Sequence, residues 1–254
     1  MSADGITIEL EETGVALVEF SRPPHNYFDI AMIAGIADAY AELEADPRCR
    51  AIVLASPGKH FCAGADFGGT GLSAEEAAEL YTHAVRLFSY SVPVIAAVQG
   101  SAIGGGLGVA MSGDFRVAAP ETRFVCNFSI LGIHHGFGLS ATLPAVIGQQ
   151  RAMELLYTGC SVDGARAFEI GLCDRLATAE TVRAVAVEFA ETIAAAAPLA
   201  VRSIRRTLRA HLPDAIRAAT KIEQREQEIL FATEDFREGV RAAAERRPAV
   251  FTGS

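Results

Sequence analysis

The 254-residue sequence predicts an α/β core followed by an all-helical region, and three observations carry that expectation. Short apolar, β-branched runs alternate with segments of helical periodicity through most of the chain. Two small-residue turns each follow such a run, and no strand-like segment occurs from Pro198 to Ser254. Half of the residues are hydrophobic, enough to bury a substantial core in one large domain.

The elements follow in order. Ile6–Glu11 and Val15–Phe20 alternate apolar and polar residues around Thr13-Gly14, which reads as an antiparallel hairpin ended by Pro23-Pro24. Asp29 is a helix cap, and Ile30, Ile33, Ile36, Ala37, Tyr40 and Leu43 lie on one stripe that stops before Pro47. A strand over 50–55, a helix over 74–90 and a strand over 93–99 come next. Phe115–Ala119 and Arg123–Asn127 read as short strands about Pro120, with helices expected over 136–147, 149–158, 163–170 and 179–196. Beyond Pro198 the helical pattern is punctuated by Pro213 and by an expected loop near Gly239. The expected units are therefore a core, 1–197, and a helical region, 198–254, packed together because no low-complexity linker divides them.

Charge and cysteine usage exclude several classes. A net charge of −9 argues against nucleic-acid binding, which needs clustered positive charge. Residues 199–254 nevertheless carry 11 Lys and Arg against 8 Asp and Glu, so this segment suits a solvated helical face, docking against the acidic body of the chain or an anionic cofactor. The apolar runs are too short or too interrupted for a membrane span. Five cysteines without C-x-x-C spacing, and an N-terminus without a basic and apolar leader pattern, lead us to expect a cytoplasmic protein with reduced thiols.

The chemistry concentrates in the two turns. Gly58–Asp66 follows the run Ala51–Ala55, and Gln99–Gly106 follows Val94–Val98. Such turns leave backbone N–H groups free to face a ligand, and two converging amides make an oxyanion hole. Alone, Gly104-Gly105-Gly106 also fits a bare turn or a degenerate dinucleotide loop. A dinucleotide unit would follow the first strand, however, with a ribose-binding acid downstream, whereas these glycines lie mid-chain.

Four motifs in order resemble those of the crotonase, or enoyl-CoA hydratase/isomerase, superfamily, from about residue 6 to residue 253. They are Phe61-Cys62-Ala63-Gly64-Ala65-Asp66; Gly104-Gly105-Gly106 with Met111 and Asp114; Gly159 with Ala167 and Gly171-Leu172; and a tail from Asp235 through Glu238-Gly239 and Glu245-Arg246-Arg247 to Phe251. The resemblance implies the ClpP/crotonase-like fold, a spiral of ββα units, with residues 198–254 as a helical trimerisation region and a homotrimer or homohexamer as the assembly. It implies acyl-CoA thioesters as partners, with no cofactor beyond the coenzyme A of the substrate. Ala65 and Gly105 match the positions whose amides hold the thioester oxygen as it gains enolate charge. A helix starting after Gly105 would aim its positive end at that anion. For coenzyme A the resemblance points to Ala63 and Ala65 around the adenine and Arg246 near the phosphates, with Arg22 a plausible second basic contact. The position at which some members place an aromatic ring over the adenine is Gln227.

The sequence departs from the family at the chemistry. Hydratases of the family carry two glutamates that position and deprotonate water, and the matching positions here are Gly108 and Phe128. Ordinary paired-glutamate hydration is therefore not expected. Glycine inside a helix costs about 1 kcal/mol relative to alanine, so Gly108 marks a need for space, either for a bulky acyl group or for close packing. The pair His134-His135, in the loop that borders the acyl pocket in the family, is the best replacement for the missing carboxylates; the alternatives are packing and capping. No metal site is expected, because adjacent histidines without a third ligand coordinate poorly. Tyr81 and His83 lie on the helix that lines the acyl pocket in the family. Asn127 and Ser129 would share a strand face opposite Phe128, with capping of the loop as the alternative role. Cys62 and Cys126 lack an assignable base, and Asp66 and Asp114 read as turn braces. The sequence thus leads to an enzyme that stabilises an acyl-CoA enolate, with a non-catalytic acyl-CoA binder and a histidine-assisted C–C hydrolase or decarboxylase as alternatives.

Overall fold

The computed structural model describes residues 5–65 and 73–254. Strands β1 (Ile6–Leu10) and β2 (Val15–Phe20) form the expected hairpin, with Ile6 opposite Phe20. Helix α1 (Ile30–Ala45) starts where Asp29 Oδ1 accepts the Met32 N–H at 2.8 Å. Then come β3 (Ala51–Ala55), α2 (Ala74–Arg86), β4 (Val94–Val98), β5 (Ser101–Ile103) and α3 (Gly105–Ser112). Strands β6 (Phe115–Ala118) and β7 (Arg123–Val125), a 3-10 turn over Ser129–Leu131, α4 (Leu139–Ile147) and α5 (Gln149–Thr158) follow. The chain continues through β8 (Ser161–Asp163), α6 (Gly164–Glu169), β9 (Arg175–Leu176) and α7 (Val182–Ala194). Helices α8 (Pro198–Leu208), α9 (Leu212–Phe231) and α10 (Glu234–Glu245) complete the described chain.

Among the described residues six strands make one sheet in the order β1-β2-β3-β4-β6-β9, parallel from β2 onward, and β5-β7-β8 make a second. Every residue of β3 and β4 is buried, as an apolar run covered on both faces requires. Alternation sends Val53, Ile95 and Val117 toward α7, whose Val182, Ala186, Ala190 and Ala194 recur at four-residue spacing. Ile52, Leu54 and Ala96 face the larger core with Ile33, Ile36 and Tyr40 of α1.

The helical region is docked against this core. Asp114, at the start of β6, accepts the Val94 N–H at 2.8 Å, Arg205 Nε at 2.8 Å and Arg209 Nη1 at 2.6 Å, tying α8 to the sheet edge. Asp114 thus braces more than its own turn. Helix α9 packs on α2 and α4.

The observed elements depart from the expected bounds in several places, α7 among them, which spans 182–194 rather than 179–196. Helix α2 stops at Arg86, because the next residues turn so that the Ser91 N–H and hydroxyl reach the Glu44 carboxylate at 3.0 and 2.5 Å. Helix α4 begins at 139 rather than 136, since Phe137 and Gly138 take left-handed φ of 61° and 74°. Gly239 is not in a loop but inside α10, where a Cβ would lie 2.5 Å from the Leu131 backbone, so glycine permits the close approach of helix and 3-10 turn. Strand β7 stops at Val125, so Asn127, Phe128 and Ser129 enter the 3-10 turn instead of alternating along a strand. No single helix among the described residues is long and apolar enough to cross a membrane.

Candidate active site

The first small-residue turn is pinned to neighbouring chain on both sides. The Phe28 N–H donates to the Gly64 carbonyl at 2.9 Å and Phe28 bridges Ala65 in parallel, while Cys62 bridges Ala102. The Ala63 N–H donates to the His25 carbonyl at 3.1 Å. In a parallel pair the residue opposite the bridging partner turns its own N–H the other way, which leaves the Ala65 amide outside that pairing. Asp66 lies outside the described residues.

The second turn depends on backbone geometry that only glycine adopts readily. Gly104 has φ 55° and ψ −119°, and its N–H donates to the Val125 carbonyl at 2.9 Å. Helix α3 starts at the next residue, so the Gly105 N–H is the first of the helix donors without an intrahelical acceptor. A Cβ on Gly105 would lie 2.6 Å from Phe28 Cζ, so the turn and the Phe28 ring are fitted to each other.

Both turns open on one cavity of about 320 Å³. Ala63, Ala65 and Gly105 form one side of it; Leu80 and Tyr81 of α2, Asn127 and Phe128 before the 3-10 turn, and Phe137 line others. Gln227 and Phe231 of α9 with Phe236 and Val240 of α10 complete it. Among the described lining residues no side chain is charged, and the polar ones are Tyr81, Asn127 and Gln227.

Two of these three are satisfied within the protein. The Tyr81 hydroxyl donates to Gln227 Oε1 at 2.8 Å, and Gln227 Nε2 donates to the His134 carbonyl at 3.0 Å. Burial, then the nearby Glu223 charge, pushes the Tyr81 hydroxyl pKa up, so it stays a neutral phenol. Glu223 is fully buried; its carboxylate accepts the Gly138 N–H at 2.8 Å and the Ser140 N–H at 3.0 Å, capping α4 from α9. Desolvation raises its pKa against the lowering pull of those hydrogen bonds.

The histidine pair stands behind the wall. Ile133 and Gly136 line the cavity, whereas His134 and His135 are not among the lining residues. Their rings stack with centroids 4.1 Å apart, His134 Nδ1 donates to the His135 carbonyl at 2.7 Å, and His135 Nε2 lies 2.7 Å from Ser140 Oγ. Burial, and secondarily the His134 charge, pushes the His135 pKa down to about 4.

The two positions at which the resemblance leads one to look for carboxylates, Gly108 and Phe128, have different fates. Phe128 lines the cavity. Gly108 is buried in α3, and a Cβ there would meet Phe137 Cβ at 2.5 Å, so of the two readings of this glycine the structure favours close packing.

Other sequence candidates lie apart from the cavity. Arg22 Nη1 pairs with Asp29 Oδ2 at 2.6 Å, Arg246 is exposed at the left-handed C-cap of α10, and His83 Nδ1 lies 3.1 Å from Arg86 Nη1. Burial pushes the thiols of Cys62 and Cys126 up to about 12, which keeps both protonated. Ser129 Oγ is buried without a hydrogen-bond partner among the described residues. Among the described residues no three His, Cys, Asp or Glu side chains gather as a metal-binding group.

Sequence reasoning missed the wall supplied by α9 and α10. One signal was available: Ile216, Thr220, Glu223 and Gln227 recur at three- and four-residue spacing, so polar groups sit on a stripe that must be buried.

A family model described as enoyl-CoA hydratase/isomerase matches residues 10–254. A crotonyl-CoA hydratase of Syntrophomonas wolfei is 34% identical, the match covering 99% of each chain. A 1,2-epoxyphenylacetyl-CoA isomerase of Escherichia coli is 31% identical over 95% of this chain and 96% of its own. Among solved structures, an enoyl-CoA hydratase/isomerase from Pseudoalteromonas atlantica superposes with a TM-score of 0.87 at 26% identity, covering 98% of this chain and all of that one. A carnitinyl-CoA dehydratase from Mycobacterium avium also reaches 0.87, at 30% identity and with 98% and 99% of the two chains covered.

Proposed function

The chain belongs to the enoyl-CoA hydratase/isomerase family, and from that premise we propose that it turns over acyl-CoA thioesters through an enolate held by the backbone N–H groups of Ala65 and Gly105. The observation that carries this reading is that both residues line the same apolar cavity, each in a turn whose backbone leaves its amide unpaired by its nearest strand or helix. Each such donor, aimed at a developing oxyanion in a dry site, is typically worth about 3–4 kcal/mol in the transition state. Ala63, Arg22 and Arg246 are the proposed coenzyme A contacts. Exposed Leu199, Ile204, Leu208, Ile222 and Ile229 support self-association into a trimer or hexamer through residues 198–254.

The reaction we favour is isomerisation or another enolate step rather than paired-carboxylate hydration. With glycine at 108 and phenylalanine at 128, no carboxylate stands where the family's hydratases activate water. The histidine pair is the proposed proton carrier: each imidazole is one residue from a lining position, Ile133 or Gly136, and burial holds His135 unprotonated at neutral pH. A second reading, a non-catalytic acyl-CoA binder, is favoured by one observation: neither a carboxylate nor an imidazole is among the described lining residues.

Exchange of the α-protons of butyryl-CoA in deuterated water, followed by proton NMR, separates these readings. Enolate chemistry requires exchange, and a histidine carrier requires its loss in His134→Ala or His135→Ala. Binding without exchange across a thioester panel, with no loss of crotonyl-CoA absorbance, would leave the binder reading standing.

A further inference from the structure

Among the described residues, Asn127 is the polar side chain of the cavity left without a hydrogen-bond partner. Tyr81 and Gln227 are bonded to each other and Gln227 to the His134 carbonyl, whereas the Asn127 amide has no hydrogen-bond partner among the described residues. Its backbone is fixed, since its carbonyl accepts the Leu131 N–H at 3.2 Å and the Phe128 N–H turns back to Cys126 at 2.9 Å. The side chain also has a defined place: Oδ1 lies 3.1 Å from the point a Cβ on Gly104 would occupy, beside the residue preceding Gly105.

We infer that Asn127 is a specificity-determining residue that reads an uncharged oxygen on the acyl group close to the thioester carbonyl, such as a β-keto or β-hydroxy oxygen. This rests on the acyl-CoA reading and on Gly105 marking the thioester end of the cavity. An asparagine amide offers two N–H donors and one acceptor oxygen, so it can serve either a carbonyl or a hydroxyl. A plain hydrocarbon chain filling the cavity would strip water from the amide and leave it unpaired. A site built around such a hydrogen bond discriminates strongly against the analogue that lacks the partner atom. A charged acyl group is disfavoured for another reason, because no opposite charge is available among the described lining residues to offset its desolvation.

The test measures binding, which does not depend on turnover. Dissociation constants of acetoacetyl-CoA and butyryl-CoA are taken by calorimetry for the native chain and for Asn127→Ala and Asn127→Leu. The native chain should prefer the β-keto ester, and both variants should lose about two- to tenfold in affinity for it while butyryl-CoA binding holds or improves. Retained butyryl-CoA binding also reports that the variants are folded. An unchanged preference in both variants would overturn the role of Asn127. Failure of the native chain to bind either ester would overturn the acyl-CoA reading beneath it, and this inference with it.

Discussion

Replacing Gly108 by alanine sets helix propensity against packing at one position. A Cβ there would lie 2.5 Å from Phe137 Cβ and 2.7 Å from its Cγ and Cδ1. Phe137 has little room to retreat: it is 2% exposed, it sits at φ 61°, and the next N–H is held by Glu223 at 2.8 Å. Propensity alone favours alanine by about 1 kcal/mol, whereas overpacking a fixed core costs about 1–3 kcal/mol. The expected net is a loss of about 0–2 kcal/mol, a fall in Tm of up to ~8 °C for a chain of this length. Phe137→Gly removes the obstructing Cβ and ring together, and in that background Gly108→Ala should become neutral or stabilising by up to about 1 kcal/mol, a coupling of at least ~1 kcal/mol. Calorimetry and urea titration of the four chains measure the cycle. Gly108→Glu, which puts a carboxylate where the resemblance leads one to look for it, should be less stable still and gain no crotonyl-CoA hydration. Additive effects of Gly108→Ala and Phe137→Gly, or a stable and hydrating Gly108→Glu, would refute the packing account.

Removing Asp114 with alanine strands Arg205 and Arg209 without their shared carboxylate, and urea unfolding should show a loss of about 3–5 kcal/mol. Glu223→Gln should flatten one limb of the stability profile. With its folded pKa raised, the unfolded chain gives up this proton first, so the native chain loses stability as pH rises through the folded value, and the variant should not. His135 acts in the opposite sense. Its folded pKa near 4 lies below the unfolded value, so the unfolded chain takes up the proton first and stability falls as pH drops from about 6.5 toward 4, a fall that His135→Gln should reduce in urea titrations across that window.

The sheet and both turns are legible in the sequence because each reports its own environment. A run as short as Ala51–Ala55 with no polar member, bounded by turn residues, reads as a strand covered on both faces, and Asp29 before an apolar stripe is a cap wherever that helix packs. What is not legible is who meets whom. The periodicity of α9 reveals that one stripe is buried, but not that Gln227 on it faces Tyr81, 146 residues earlier. The adjacency of His134 and His135 names a candidate base, yet which way two rings turn in a loop is set by Ser140 and by the stack between them. Asn127 is misjudged by strand alternation because the strand ends two residues sooner, at Val125.

The cavity's last wall comes from α9 and α10, through Gln227, Phe231, Phe236 and Val240. On a ribosome these residues emerge after the whole sheet and both small-residue turns, so a nascent chain can own the amides of Ala65 and Gly105 and still lack a pocket around them. Ligand binding and docking of the two helices are then linked equilibria, each favouring the other. A bound thioester would add to the ties that already hold the helical region on the core through Tyr81–Gln227 and Glu223.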